Sequence, residues 1–430
     1  MSEKKPAPQQ QNLAGICPVI KGSEAPEIVL DGKIPQYVAY PSSDKEAAQI
    51  LSLAARTKTP LAVIGGASKF NAGTPLTDLE WALSTVNLNQ EPVIKADDLI
   101  VQVKAGVALA ELQNLLSRHN LFLPVDPGTA KATVGGMLAQ GGGGSHRLKY
   151  GLVRDLVLGM TLALTDGKVY KFGGQTVKNV TGYDVGKLFI GSKGTLGVIT
   201  EAYLRVYPVP PASEVLLGVA RGLDAVWKAA KAMEEIEPAV VEIYDAPLAK
   251  RLYNLGSQGN VRYGILVKYA GPGPAVDKQY AETLAVFNQY GISLSKADVN
   301  DAEIWEKREV MNTLDAFTPD LIGVKIAVPR VKTRQMAEGL EAAAGQFGIE
   351  QLAMHMPAVG ICQVWFTGKQ WLEFMRALEG TARGLGGLVQ LKTGDLSVRR
   401  EFRIDSAQIL DSQIKHFFDP EGVLNAGKCV

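Results

Sequence analysis

Two stretches of this sequence are rich in glycine without being flexible linkers. The first, Gly65-Gly66-Ala67-Ser68-Lys69 and on to Gly73, follows the short apolar run Leu61 to Ile64. The second, Thr133 to Ser145, carries Gly135-Gly136 and then Gly141 to Gly144 in a setting too apolar and irregular for a linker. Several backbone N–H groups can converge on a diphosphate only where Cβ atoms are missing. One such turn is common punctuation, but two close together in the chain point to a ligand. No run reads G-x-G-x-x-G, and no Gly-Lys pair precedes Ser or Thr in a P-loop frame. A dinucleotide on a Rossmann turn and a P-loop nucleotide are both disfavoured, which leaves a different diphosphate cradle.

The elements around these loops alternate between strand and helix. Tyr37 to Tyr40 reads as a strand, and Ser43 with Glu46 fits a capping box ahead of Ala47, Ile50, Leu51 and Ala54 at helical spacing. Val101, Val103 and Ala105 alternate with polar residues, and Leu109, Leu112, Leu115 and Leu116 mark an amphipathic helix. Asp166-Gly167 is a hairpin signal between runs at Asp155 to Leu164 and Lys168 to Phe172. A strand over Val198 to Val206 ends in the prolines 208, 210 and 211, where a domain boundary is expected. Beyond it come charged amphipathic helices, Leu223 to Glu237 and Thr333 to Phe347, between strands such as Val261 to Tyr269 and Ile322 to Val328. No short-period repeat is evident.

At 430 residues the chain calls for two or three domains. Its 45 Lys and Arg against 44 Asp and Glu create no global field towards nucleic acid or an anionic membrane. No apolar run approaches the roughly 18 residues of a membrane span, and no apolar h-region follows the lysines at the start, so a cytoplasmic location is expected. Cys17, Cys362 and Cys429 lie far apart without a C-x-x-C, which disfavours an iron–sulfur cluster or structural zinc held by this chain and fits reduced thiols.

The segments VIGGASKFNAG, DPGTAKATVGGMLAQGGGGSHRLKYGLVRDLVLG, VKNVTGYDVGKLFIGSKGTLGVITEAYLRVYPVP and FDPEGVLNAGK, in this order, resemble the FAD-linked oxidase family of the vanillyl-alcohol-oxidase or PCMH type. The resemblance implies an α+β protein: a lead-in over 1–36, a two-lobed FAD-binding domain over 37–210, an α+β (ferredoxin-like) cap over 211–404 and a tail, 405–430, returning to the FAD domain. Carried over by position, Gly65, Gly66, Ala67, Ser68 and Lys69 match the pyrophosphate loop. Pro127, Gly128, Thr129, Thr133, Gly135 and Gly136 match the flavin and phosphate wall, which Gly141, Gly142, Gly143, Gly144 and Ser145 continue. Gly194, Gly197, Val198 and Ile199 match the segment along the cofactor, and Asn425 the tail residue near the ring, with Ala426 where the family carries proline. Position 67 is alanine where some relatives attach FAD through histidine, so non-covalent FAD is implied. His146 is an alternative attachment point without support from the match.

Oxidising a 2-hydroxy acid at a flavin needs a base for the hydroxyl proton and cations for the carboxylate. Catalytic relatives of the glycolate and D-lactate group carry cap motifs H-x-G-D-G-N-x-H and G-E-H-G. Here the corresponding stretches read His355-Met356-Pro357-Ala358-Val359-Gly360 and Leu391-Lys392-Thr393-Gly394-Asp395, and Lys325 stands where many relatives have an acid four places before the proline. With four histidines in the chain, no multi-histidine metal site is expected. His355 and Arg330 are the candidates for substrate contact. These departures resemble the second flavin subunit of bacterial glycolate oxidase. The implied function is an FAD subunit of a glycolate or D-lactate dehydrogenase complex, electron-transferring or assembly in role, beside a sister FAD subunit and an iron–sulfur subunit that could bring it to a membrane. An autonomous FAD-dependent 2-hydroxy-acid dehydrogenase and an FAD-binding scaffold remain open.

Overall fold

The structure, a computed structural model, describes residues 12–126, 129–174, 183–254, 262–295, 301–310, 321–402 and 409–428. Pro127, Gly128, Cys429, the tail up to Gln11 and the motif residues Asn179 to Gly182 lie outside the described residues. The chain divides into two compact units: one of Met1–Gly143, Leu152–Val209 and Asp405–Val430, the other of Gly144–Gly151 and Pro210–Ile404. The fold is α+β throughout.

The first unit holds two sheets. Strands β1 (Val19–Lys21), β2 (Tyr37–Ala39), β3 (Leu61–Ile64) and β4 (Trp81–Ser84) form a sheet in the order β1-β2-β4-β3, with β4 parallel to both β2 and β3. The helix Asp44–Thr57 connects β2 to β3 and buries Ala47, Ile50, Leu51 and Ala54 against Leu61, Trp81 and Leu83. Ser43 caps it by accepting from Glu46 N at 3.2 Å, and Lys58 ends it in the left-handed region. The Glu46 carboxylate reaches Ser42 N at 2.7 Å instead of Ser43, so the capping box is only half formed.

The second sheet is antiparallel, with β5 (Val93–Lys95), β6 (Ile100–Lys104), β8 (Val157–Ala163), β9 (Val169–Gly173) and β10 (Val198–Arg205) in the order β5-β6-β10-β8-β9. A two-stranded pair of β7 (Leu121–Phe122) and β11 (Tyr207–Pro208) stands apart from it. Asp166-Gly167 turns β8 into β9, with Gly167 at φ 82°. The run Asp155 to Leu164 is not all strand. Val153–Leu156 forms one helical turn because Asp155 accepts from Leu152 N at 2.8 Å, and extended backbone begins at Val157.

The second unit is one eight-stranded antiparallel sheet with a repeat the sequence does not display. Its strands are β12 (Ala212–Ala220), β13 (Val240–Asp245), β14 (Tyr263–Gly271), β15 (Ser293–Leu294), β16 (Ile322–Ala327), β17 (Glu350–Met356), β18 (Ile361–Thr367) and β19 (Leu388–Thr393). Their order, β15-β12-β14-β13-β17-β18-β16-β19, places two ferredoxin-like halves side by side, each running fourth-first-third-second, joined where β13 pairs with β17. One face packs on the long helices: Ile243, Ile265 and Val267 belong with Val226 and Phe287, and Cys362, Val364 and Ile326 with Met336, Leu340 and Phe374. The other face carries Leu266, Tyr244, Met354 and Trp365 against Leu248, Leu252 and Ile304.

Candidate functional site

In the first unit the glycine loops are built against each other. After β3 the chain turns at Ala67, whose φ is 52°, a left-handed conformation unusual for a residue with a side chain. A Cβ on Gly66 would stand 1.5 Å from the carbonyl oxygen of Lys131, and one on Gly65 2.2 Å from Thr133 Oγ1. These glycines are therefore required by the approach of the second loop, before any ligand is considered. The same holds for Gly135, whose missing Cβ would meet Ala105 Cβ at 2.7 Å while its N–H donates to Ala105 O at 2.8 Å. Gly142 differs, since nothing lies within 4 Å of the place its Cβ would take.

Thr133 caps the short helix Val134–Gln140 by accepting from Gly136 N at 3.2 Å, and Gly141 closes that helix at φ 64°. Gln140 Nε2 reaches the Lys69 carbonyl at 3.3 Å, a further link between the loops. Thr129 Oγ1 is buried and has no hydrogen-bond partner among the described residues. Ser68 and Lys69 of the first loop are exposed.

The tail completes this unit from the far end of the chain. Val423 to Asn425 runs alongside β3: Leu61 N donates to Val423 O at 2.8 Å and Asn425 N to Leu61 O at 2.9 Å. The Asn425 side chain accepts from Val63 N at 2.8 Å and donates to Lys193 O at 2.6 Å, and φ is 44°. Asn425 is thus a buried staple between β3 and the Lys193-Gly194 turn, where a Cβ on Gly194 would sit 2.8 Å from Asn425 Nδ2. Gly197 packs on Leu164, and Val198 and Ile199 are buried in β10. Lys428 folds its ammonium inward, 2.9 Å from Asp31 Oδ2, 2.5 Å from Phe70 O and 4.4 Å from the centre of the Phe70 ring. Lys415 donates to Thr195 O at 2.7 Å and Leu424 O at 2.9 Å and pairs with Asp419, while burial lowers its pKa.

Gly144 and Ser145 belong to the second unit, not the first. There Ser145 Oγ bonds Glu242, whose carboxylate also takes Arg308 at 2.9 Å and Tyr244 Oη at 2.5 Å, and Glu242 and Arg308 are both buried. His146 stacks edge-on against Trp305, 5.2 Å between centroids, and Lys268 Nζ lies 3.6 Å above the same indole. The sequence singled out none of Glu242, Arg308, Tyr244 or Lys268. For Glu242 and Lys268 the available signal was a charged residue inside the apolar strand runs beginning at Val240 and Tyr263.

The two residues expected to touch substrate lie elsewhere. His355 is opposite Ile243 and Cys362 in the ladder, so it points into the helix-covered face. It is 2% exposed, its Nδ1 is 3.1 Å from Cys362 Sγ, and Trp227 packs edge-on at 5.4 Å. Burial pushes its pKa down to about 4 and that of the Cys362 thiol up to about 12. Arg330 is exposed after β16 and pairs with Glu234 at 3.4 Å. The structure does not bring the two together as one site. Among the described residues no group of three His, Cys, Asp or Glu is arranged to hold a metal, and no helix is long and apolar enough to cross a membrane.

Residues 35–173 match the family profile described as FAD binding domain. The chain is 29% identical over 434 residues to a D-lactate dehydrogenase of Archaeoglobus fulgidus, covering 95% of this chain and 94% of that protein. It is 27% identical over 421 residues to the glycolate oxidase subunit GlcD of Bacillus subtilis, covering 92% and 89%. The glycolate oxidase subunit GlcE of Escherichia coli is 37% identical over 180 residues, 40% of this chain and 50% of that one. Among solved structures, p-cresol methylhydroxylase with substrate bound superposes with a TM-score of 0.73 at 14% identity over 98% of this chain and 96% of that one, a likeness of fold.

Proposed function

We propose, from the premise that this chain is an FAD-dependent oxidoreductase homologous to glycolate oxidase GlcD and D-lactate dehydrogenase, that it is a flavoprotein subunit of a 2-hydroxy-acid dehydrogenase complex. In this reading residues 37–210 with the tail hold FAD non-covalently and 211–404 form the cap. The residues of the first unit fit such a cofactor. Thr129 Oγ1 is a buried hydroxyl with no partner among the described residues, and the open side of Gly142 leaves room for a group to approach the backbone. When bound, FAD supplies the two-electron acceptor for a hydride from the substrate carbon. The chain's own part is to bind and orient it through the loops 65–69, 129–136 and 141–143.

The observation that carries a relay or assembly role over primary catalysis is the placement of His355. A base must reach the proton it removes, and this imidazole is closed in by Trp227, Cys362 and the helices of its face. Similarity to GlcE over part of the chain, alongside similarity to GlcD over nearly all of it, supports a multi-subunit setting, for which a sister flavin subunit and an iron–sulfur subunit are the proposed partners. A second reading, an autonomous dehydrogenase, is favoured by the charged residues on the opposite sheet face. Anaerobic mixing with glycolate and D-lactate separates the two. The relay reading expects flavin bleaching in the natively purified complex and none within seconds in the isolated chain; rapid bleaching of the isolated chain overturns it.

A further inference from the structure

The first glycine loop draws the anchors of its outer limb from distant parts of the chain. Between β3 and β4 the backbone runs from Gly65 to Glu80 without helix or strand, turning on bonds from Phe70 N to Ala67 O and from Ala72 N to Lys69 O, each at 3.2 Å. At the near end Gly65 and Gly66 lie against Thr133 and Lys131. Beyond Ala72 the limb is held by the lead-in and the tail. Leu76 N donates to Asp31 Oδ2 at 2.8 Å, Thr77 N to Ala426 O at 2.8 Å and Thr74 Oγ1 to Gly427 O at 2.7 Å. A Cβ on Gly427, whose φ is 92°, would stand 2.6 Å from Thr77 N, so tail and limb are in close contact.

Lys428 closes this junction. Its ammonium is 2.9 Å from Asp31 Oδ2, the same oxygen that takes Leu76 N, and it also donates to Phe70 O at 2.5 Å. Both side chains of the ion pair are sealed from solvent, Lys428 at 3% and Asp31 at 0% exposure. One cation thus ties the lead-in, the limb and the tail together. The turn before it has lost a constraint: Asn425 at φ 44° and Gly427 at φ 92° flank Ala426, where the proline of the family would fix φ. With alanine there, the shape of the turn depends on the contacts on either side, Asn425 with Val63 N and Lys193 O and Lys428 with Asp31 and Phe70.

We propose that Lys428, acting through Asp31 and Phe70, is the positioning residue of the first glycine loop: the end of the chain latches the limb 70–77, and retention of the cofactor depends on that latch. The inference rests on the reading that residues 65–69 hold FAD, and it adds the device that keeps them in shape. A loop that becomes ordered only on binding lowers affinity through the conformational entropy it loses. With the latch closed the limb is ordered before the cofactor arrives. With it open, part of the interaction energy goes into ordering the limb, and FAD leaves faster.

The test compares three full-length proteins: the native chain, Lys428→Met, and the double variant Asp31→Asn with Lys428→Met. FAD release is followed as free flavin appearing after dilution, with amide hydrogen exchange recorded on the same samples. The single variant strands a buried carboxylate and loses stability as a whole. The double variant avoids this, because Asn tolerates the φ of 52° at position 31 and its side-chain oxygen can still accept from Leu76 N. It is expected to release FAD about ten- to a hundredfold faster than the native chain, with faster exchange at Phe70, Ala72 and Thr77 and native exchange in β8 and β10. Faster exchange in β8 and β10 as well would reduce Lys428 to a stabilising residue and overturn the inference, as would native exchange at Thr77. Native FAD release from the double variant defeats the latch alone, whereas a native chain that holds no FAD defeats the proposed function and the latch together.

Discussion

His355 gives the sharpest quantitative test, because its burial ties a structural role to a pH window. The imidazole is neutral in the folded protein, with a pKa pushed down to about 4 by burial against an ordinary value of 6.5. Between those values the unfolded chain binds the proton and the folded chain does not, so stability falls as pH drops from about 6.5 towards about 4 and is unaffected above. The full shift corresponds to about 3 kcal/mol. Between pH 7 and pH 5 the linkage amounts to about 2 kcal/mol. His355→Gln removes this proton site while keeping a polar side chain for Cys362. The assay is hydrogen exchange of the β13, β17 and β18 amides at both pH values, since comparing the two proteins at one pH cancels intrinsic exchange rates. The native protein should lose about 2 kcal/mol of opening free energy relative to His355→Gln on going from pH 7 to pH 5. Equal responses would mean that His355 is accessible and titrates near 6.5, and the case for a sealed, non-catalytic histidine would fail.

Further outcomes follow from the first unit. Acid or heat denaturation should release the flavin into the supernatant, because no histidine or cysteine lies in 65–69; yellow precipitate would establish covalent attachment. Gly142→Leu should fold normally yet lose FAD, since its Cβ side is open, whereas Gly66→Ala should lower the melting temperature as well as FAD content because its Cβ collides with Lys131 O. A Gly142→Leu protein with full FAD occupancy would remove that loop from the cradle. Lys428→Met leaves Asp31 buried without its cation and should destabilise by about 3–5 kcal/mol, read from denaturant midpoints; a loss below about 1 kcal/mol would show that the pair is solvated. Elemental analysis of the isolated chain should find well under one transition metal per chain.

The FAD half was legible because its signals are local. Glycine runs, the Ser43 cap and the Asp166-Gly167 turn each act over a few residues, and the structure uses each near where the sequence places it. Even there the reason was only half visible. Gly65, Gly66 and Gly135 suggest room for a phosphate, while the structure spends them on contact between loops that are far apart in sequence. The resemblance implied a ferredoxin-like cap, but its doubling into two halves escaped detection because it lies in the order of the strands. That symmetry is a matter of hydrogen-bond pairing, seen in β15-β12-β14-β13 beside β17-β18-β16-β19.

The cap residues show most clearly where sequence reasoning stops. His355 looked functional because it stands where the resemblance puts the first histidine of the cap motif, yet its role depends on which sheet face it occupies. The hairpin register across Pro357 to Gly360 decides that: His355 lies opposite Cys362, on the side of Val364 and Phe366, and is therefore interior. One residue of slip would have turned it outward with Gln363. Lys325 follows the same logic in reverse. Its neighbours Val324 and Ile326 face the helices, so alternation alone turns Lys325 to the other side. What alternation cannot supply is the identity of its surroundings, because Gln363, Gln390 and Arg147 come from three separate segments. Pairing is decided over the same distances, since Arg308 meets Glu242 and Lys428 meets Asp31 from segments far apart in sequence.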